Sequence, residues 1–154
     1  MLSLKKYLKE NIYYIAWVQV LVATLGSLYF SEVLKYTPCV LCWYQRIFMY
    51  PQVFIIAVGI YRKDKNLPYY VLPLTIVGWV IAFYHNLLYY HIVSENLTPC
   101  SLNVPCTTRF FAWFGIITIP LLSLTAFTVV NICMFLAKRY NRGAKALPKR
   151  KNKK

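Results

Sequence analysis

The sequence predicts an all-α membrane protein: a four-transmembrane-helix bundle with both termini cytoplasmic and two short outward-facing cysteine loops. Three observations carry this. Of 154 residues, 59% are hydrophobic and only 14% are charged, too little polar surface for a water-soluble domain of this size. The apolar residues gather into four segments, at about 12–30, 43–60, 69–93 and 110–137. Fifteen of the eighteen Lys and Arg residues lie at the chain ends and in one connection, all of which an alternating topology places on one side.

The first segment follows a short basic start with Lys5, Lys6 and Lys9. Ile12 to Phe30 is nineteen residues without a charge, enough to cross a core of about 30 Å at ~1.5 Å per residue. It lacks a small-residue cleavage site and is long for a signal peptide, so it reads as a retained helix. Ser31 to Pro38 is a brief loop leading to Cys39-Val40-Leu41-Cys42. The second segment carries Arg46 near its start and ends at Tyr61-Arg62-Lys63-Asp64-Lys65-Asn66. The third contains Pro73, Gly78 and His85. A polar loop, Ser94 to Arg109, holds Cys100 and Cys106, and the fourth segment leads into a basic tail.

The chain therefore reads as one membrane domain, 1–137, followed by a tail, 138–154. The net charge of +14 suggests nucleic acid at first sight, but nine basic residues follow Ala137. That run reads as a solvated cytoplasmic tail against the anionic headgroups of the bilayer, and no specific nucleic-acid partner is expected. The same charge bias fixes the orientation. The two outward loops contain only Lys35 and Arg109.

Four of the five cysteines then face the outer side, where disulfides persist. A CxxC pair makes and breaks a disulfide reversibly, and a helix start favours the thiolate form. Arg46 lies one helical turn beyond Cys42, so the two share a face. A charge within a membrane segment marks a functional site by default. His85 falls at similar depth on the third segment, about two turns below an outer end near Val93. With Arg46 it offers polar groups that suit the oxygens of an apolar, ring-shaped ligand, and Trp43 is a further candidate to pack on such a ring. His91 reads as a headgroup-level residue and Cys133 as a small core hydrophobe.

Two other readings compete with redox chemistry. One is a non-enzymatic membrane protein whose loops are stapled by structural disulfides. A CxxC bridge, however, closes too small a ring to remove much chain entropy. The other is a four-cysteine zinc-binding membrane module. That needs reduced thiols on an oxidising face, so no resident metal is expected.

The element Cys39-Val40-Leu41-Cys42 followed by Arg46, the four segments, the second outward cysteine pair and Tyr84-His85 together resemble the DsbB family of disulfide-bond-generating membrane proteins. The resemblance covers roughly residues 10 to 135. The five residues between Cys100 and Cys106 resemble the compact, BdbC-like members rather than the long-loop type. Gln45 stands where the long-loop type usually has an acidic residue, so no role transfers to it. Vitamin K epoxide reductase-like proteins place the loop pair before the CxxC, the opposite order.

The resemblance implies a protein-dithiol:quinone oxidoreductase in the bacterial cytoplasmic membrane. Cys39 and Cys42 would be the quinone-facing pair, with Cys42 against the ring, and Arg46 and His85 would bind the quinone (ubiquinone or menaquinone). Cys100 would form the mixed disulfide with a soluble or lipid-anchored DsbA-like thioredoxin-fold oxidase. Cys106 would pass electrons to Cys39. The oxidising route through DsbA, DsbB and quinone is the one that keeps a bacterial periplasm oxidised.

Overall fold

The structure is a computed structural model that describes residues 2–93, 112–113 and 117–146, with side chains described over 11–93 and 118–142. Four long helices account for nearly all of it: α1 (Leu2–Leu28), α2 (Val40–Tyr61), α3 (Leu67–Tyr89) and α4 (Ile119–Ala146). Two-residue strands, β1 (Ala112–Trp113) and β2 (Ile117–Thr118), pair antiparallel just before α4. Three stretches are long and apolar enough to cross a bilayer: Asn11–Val33, Leu67–Tyr89 and Ile119–Arg142. α2 is not among them, and it carries Gln45, Arg46 and Gln52 on its course. Yet it exposes Ile47, Phe54 and Val58 on its outer side, as the other helices expose Val22, Ile76 and Phe135.

The helices form a closed ring in chain order. α1 packs on α2 and α4, and α3 packs on α2 and α4. The short turn between α2 and α3 makes those two antiparallel neighbours. The core follows the helical period. Ile12, Ala16 and Val20 recur every fourth residue on α1, and Ala126, Val130, Met134 and Ala137 do so with small shifts on α4. Cys133 is buried in the same cluster, in keeping with a thiol that behaves as a small hydrophobe.

Helix ends differ from the sequence expectation, each for a local reason. The third segment was expected to reach 93, but α3 stops at Tyr89. The Ile92 N–H bonds the Leu87 carbonyl at 3.0 Å and the His91 N–H bonds the Leu88 carbonyl at 2.9 Å, with His91 left-handed at φ 56°. This is a Schellman closure with histidine in the position usually held by glycine. α2 closes the same way through Lys63, at φ 51°. Asp64 then accepts the Tyr70 hydroxyl at 2.6 Å and the Asn66 N–H at 2.8 Å. The hydroxyl, and next the amide, hold its carboxyl below the usual carboxylate range. The fourth segment, expected over 110–137, is helical among the described residues only from Ile119, with the two short strands at Ala112–Trp113 and Ile117–Thr118 before it. Pro120 sits in the first turn, where a missing N–H costs nothing. α4 then continues through the start of the basic tail to Ala146.

Lipid gives packed helices no hydrophobic reason to associate, so close approach and interhelical hydrogen bonds hold them. On the α3–α4 seam the Thr75 hydroxyl donates to Asn131 Oδ1 at 2.6 Å. Trp79 Nε1 donates to Thr128 Oγ1 at 2.9 Å, and Asn86 Nδ2 to the Pro120 carbonyl at 2.9 Å. Gly78 lets the fully buried Phe127 ring lie on the α3 backbone: a Cβ there would collide with Phe127 Cε1. Gly78→Ala is therefore expected to destabilise the bundle by about 1–3 kcal/mol. A thermal melt in detergent checks this. An unchanged midpoint would mean the ring has room to move.

Candidate active site

Cys39 caps the N-terminus of α2, with extended backbone at φ −70° and ψ 170°. Cys42 lies one turn inside the helix, and the two sulfurs are 3.1 Å apart. The helix start thus presents both sulfurs on one edge, with Cys39 buried and Cys42 half-buried. Neither is disulfide-bonded.

His85 is 2% exposed and approaches from α3, with Nε2 3.8 Å from Cys39 Sγ. Because α3 ends at Tyr89, it sits about one turn below the helix end instead of two. Cys39, Cys42 and His85 place their ligand-type atoms within 4.8 Å of one another. This is a different set from the four cysteines of the zinc reading. Closing the Cys39–Cys42 disulfide would remove two of its three members.

Arg46 reaches the other way, to α1. Its Nε donates to Ser27 Oγ at 3.0 Å and its Nη2 to the Ser27 carbonyl at 3.0 Å. The Tyr50 hydroxyl also donates to Ser27 Oγ at 3.4 Å. Ser27 lies in the last α-helical turn before the chain widens into a π-turn over Tyr29–Val33, a local feature frequent at functional sites. The guanidinium also lies over the Trp43 ring at 5.3 Å. Trp43 itself is exposed and does not line the cavity described next.

Between the helices is a cavity of about 330 Å³. Cys39, Cys42, Gln45, Arg46 and His85 line it together with Ser27 and Ser123. Apolar side chains such as Val22, Met49 and Phe127 form the remainder. This volume lies at the lower end of small-molecule sites, and an apolar wall with a few convergent polar groups is their usual form. The structure thus brings together Cys39, Cys42, Arg46 and His85. Cys100 and Cys106 lie outside the described residues.

Sequence reasoning missed Ser27, Gln45 and Ser123. Gln45 had a readable signal: it falls on the inward stripe Leu41, Gln45, Met49, Gln52, Ile56 of α2. Its side chain joins three helices. Gln45 Nε2 is 3.1 Å from His85 Nδ1, and the Ser123 hydroxyl donates to Gln45 Oε1 at 2.6 Å. Ser27 and Ser123 are single polar residues in apolar runs and carried no pattern to single them out.

Two sulfurs in contact range at a helix start, opening on an apolar cavity in a membrane-spanning bundle, are the arrangement of a membrane protein that forms and breaks disulfides. Comparison with known proteins agrees. A family model described as disulfide bond formation protein DsbB matches residues 9–137, and the chain belongs to that family. It is 46% identical over 125 residues to disulfide bond formation protein C of Bacillus subtilis (strain 168), covering 81% of this chain and 91% of that one. It is 42% identical over 130 residues to a probable disulfide formation protein C of Halalkalibacterium halodurans, covering 84% and 95%. A probable disulfide formation protein of Metapseudomonas resinovorans is 38% identical over 130 residues, covering 84% and 90%. No solved structure matches the chain significantly. The protein is thus a multi-pass membrane oxidoreductase of the disulfide-forming class.

In protein isolated without reductant, Cys39 and Cys42 are expected to resist alkylation together and to take label together after reduction. Cys133 is expected to react only once the bundle is unfolded. Mass mapping of the labelled peptides checks this, and label on one member of the CxxC pair alone would contradict it.

Proposed function

We propose that this chain reoxidises a DsbA-like thioredoxin-fold thiol oxidase on the outer face of a bacterial cytoplasmic membrane and passes the electrons to a membrane quinone. The observation that carries the reading is the shared cavity, in which the Cys42 sulfur, Arg46 and His85 meet within apolar walls. In this reading α2 is the fourth spanning segment and both termini are cytoplasmic, which the distribution of basic residues supports.

The relay runs by thiolate attack on disulfide sulfur. A thiolate of the reduced partner attacks the Cys100–Cys106 disulfide at Cys100, and Cys106 leaves as a thiolate. The partner's second thiolate then releases Cys100, which leaves the partner oxidised and the loop pair reduced. Cys106 attacks Cys39 of the Cys39–Cys42 disulfide, and Cys42 departs with the electron pair. Cys100 closes on Cys106, Cys39 is released, and two electrons now reside on the CxxC pair.

The residues of the cavity fit a quinone ring. Arg46 spends Nε and one Nη2 proton on Ser27, which leaves further guanidinium N–H groups for a carbonyl oxygen. When bound, the quinone supplies a two-electron, two-proton acceptor. Both sulfurs line the cavity, and we assign the giving up of electrons to Cys42, the one inside the helix and one turn from Arg46. The apolar walls keep water from the thiolate.

Purified protein mixed with reduced thioredoxin-fold oxidase and a soluble quinone analogue is expected to reduce the analogue, followed by absorbance. Cys42→Ser and Cys100→Ser are each expected to lower turnover by more than about 10³-fold. Parental turnover in Cys42→Ser would overturn the relay. Absence of turnover with all outer thiols inert to exchange would instead favour loops stapled by structural disulfides. Ser27→Ala removes the Nε anchor of Arg46 while the bond from Nη2 to the residue 27 carbonyl remains, and is expected to raise KM for the analogue about tenfold, the worth of one charged hydrogen bond. An unchanged KM would remove Ser27 from the site.

A further inference from the structure

Gln45 is 7% exposed and stands between α3 and α4, with a distinct partner for each end of its amide. Hydrogen-bond lengths decide which end faces which partner. The contact to Ser123 Oγ is 2.6 Å, inside the O–H···O range of about 2.5–3.0 Å and shorter than the roughly 2.7–3.2 Å of an N–H donor. The contact to His85 Nδ1 is 3.1 Å, the length of an N–H donor. Gln45 therefore accepts from Ser123 through Oε1 and donates to His85 through Nε2.

An amide NH₂ only donates, so the ring nitrogen opposite it must accept. Nδ1 of His85 then carries no proton, and the proton of the neutral imidazole resides on Nε2. Nε2 is the atom 3.8 Å from Cys39 Sγ. We propose that Gln45, anchored by Ser123, is a positioning residue that holds His85 in the Nε2–H tautomer and aims that N–H at the Cys39 sulfur.

This rests on the relay above and assigns His85 a task within it. When Cys39 is released from its disulfide with Cys106, the S–S electron pair stays on Cys39, and the Nε2–H hydrogen bond meets that charge. No proton is transferred, because the hydrogen stays on the ring. Three helices contribute to this arrangement: Gln45 and Cys39 at the start of α2, His85 near the end of α3, and Ser123 in the first turns of α4. A tilt of α4 that withdrew Ser123 would free the amide to turn over and offer His85 an acceptor, which favours the opposite tautomer.

The chain has two histidines, so His91→Asn leaves one imidazole to observe, and Asn tolerates the left-handed backbone at that position. In ¹⁵N-histidine-labelled His91→Asn protein in detergent, the long-range ¹⁵N–¹H spectrum of the neutral ring is expected to show a protonated Nε2 and a bare Nδ1. Gln45→Glu, whose carboxylate can only accept, is expected to reverse the pattern to a protonated Nδ1. Ser123→Ala, which keeps the volume of the site and is the milder change, is expected to give a mixture of the two. In a Cys42→Ser background, Gln45→Glu is also expected to slow alkylation of Cys39 at neutral pH at least fivefold. Retention of the Nε2–H pattern in both Gln45→Glu and Ser123→Ala, or a protonated Nδ1 in the parent, would overturn the proposal. The tautomer is read without turnover. An inactive parent with the Nε2–H pattern would thus overturn the relay while the positioning stands.

Discussion

A polar side chain inside a bilayer has no water to turn to, so its partners must come from within the protein. The architecture of this chain depends on that constraint, and among the described buried side-chain N and O atoms only Thr24 Oγ1, Gln52 Oε1 and Asn86 Oδ1 go without a partner. Arg46, Gln45 and His85 enter the bundle where lipid replaces solvent. Each is met by a group from another helix: Ser27 of α1 for Arg46, and Ser123 of α4 and His85 of α3 for Gln45. The same rule governs the α3–α4 seam, where Thr75, Trp79 and Asn86 each have a partner on or beside α4. The interactions that assemble the helices and those that orient the site are thus of one kind. Near the cysteines they are the same interactions.

This has a chemical consequence at the CxxC. The helix start exposes both sulfurs, but exposure alone does not distinguish a redox centre from a staple. What distinguishes it here is the company of the sulfurs. Cys39 faces a ring nitrogen at 3.8 Å, and both sulfurs line a cavity whose wall also carries the Arg46 guanidinium. The sulfurs thus share their company and differ in place: Cys39 caps the helix and Cys42 lies one turn inside it.

Much of this was legible in the sequence, and the limits have physical causes. Apolar runs and cysteine spacing marked the helices and the family. The i, i+4 relation of Cys42 and Arg46 correctly placed both on one cavity. Boundaries were harder. A helix end closed by glycine can be read from sequence, but α2 and α3 close through Lys63 and His91 in left-handed backbone, residues that do not announce a helix end as glycine does. Pro120 did carry a readable signal for the start of α4, one overridden by the apolar run before it. Trp43 was a reasonable candidate for the ligand by proximity, yet its ring faces outward under Arg46. Ser27 and Ser123 could be found only from coordinates, since a lone serine in an apolar helix has no periodic signature.

The end of the bundle remote from the cysteines is fastened differently. There Asn141 Nδ2 donates to the Tyr13 hydroxyl at 2.9 Å and to the Lys65 carbonyl at 2.7 Å, joining α1, α4 and the α2–α3 turn through one side chain. Lys138 sits over the Tyr69 ring at 4.8 Å beside it. The molecule is thus clasped at its base and hollow near its mouth. For a helix about 30 Å long, pivoting on that clasp by roughly 2° shifts the far tip by about 1 Å. Small changes of aperture at the mouth then require no repacking at the base. The clasp thus keeps the four helices in register whatever the aperture at the opposite end.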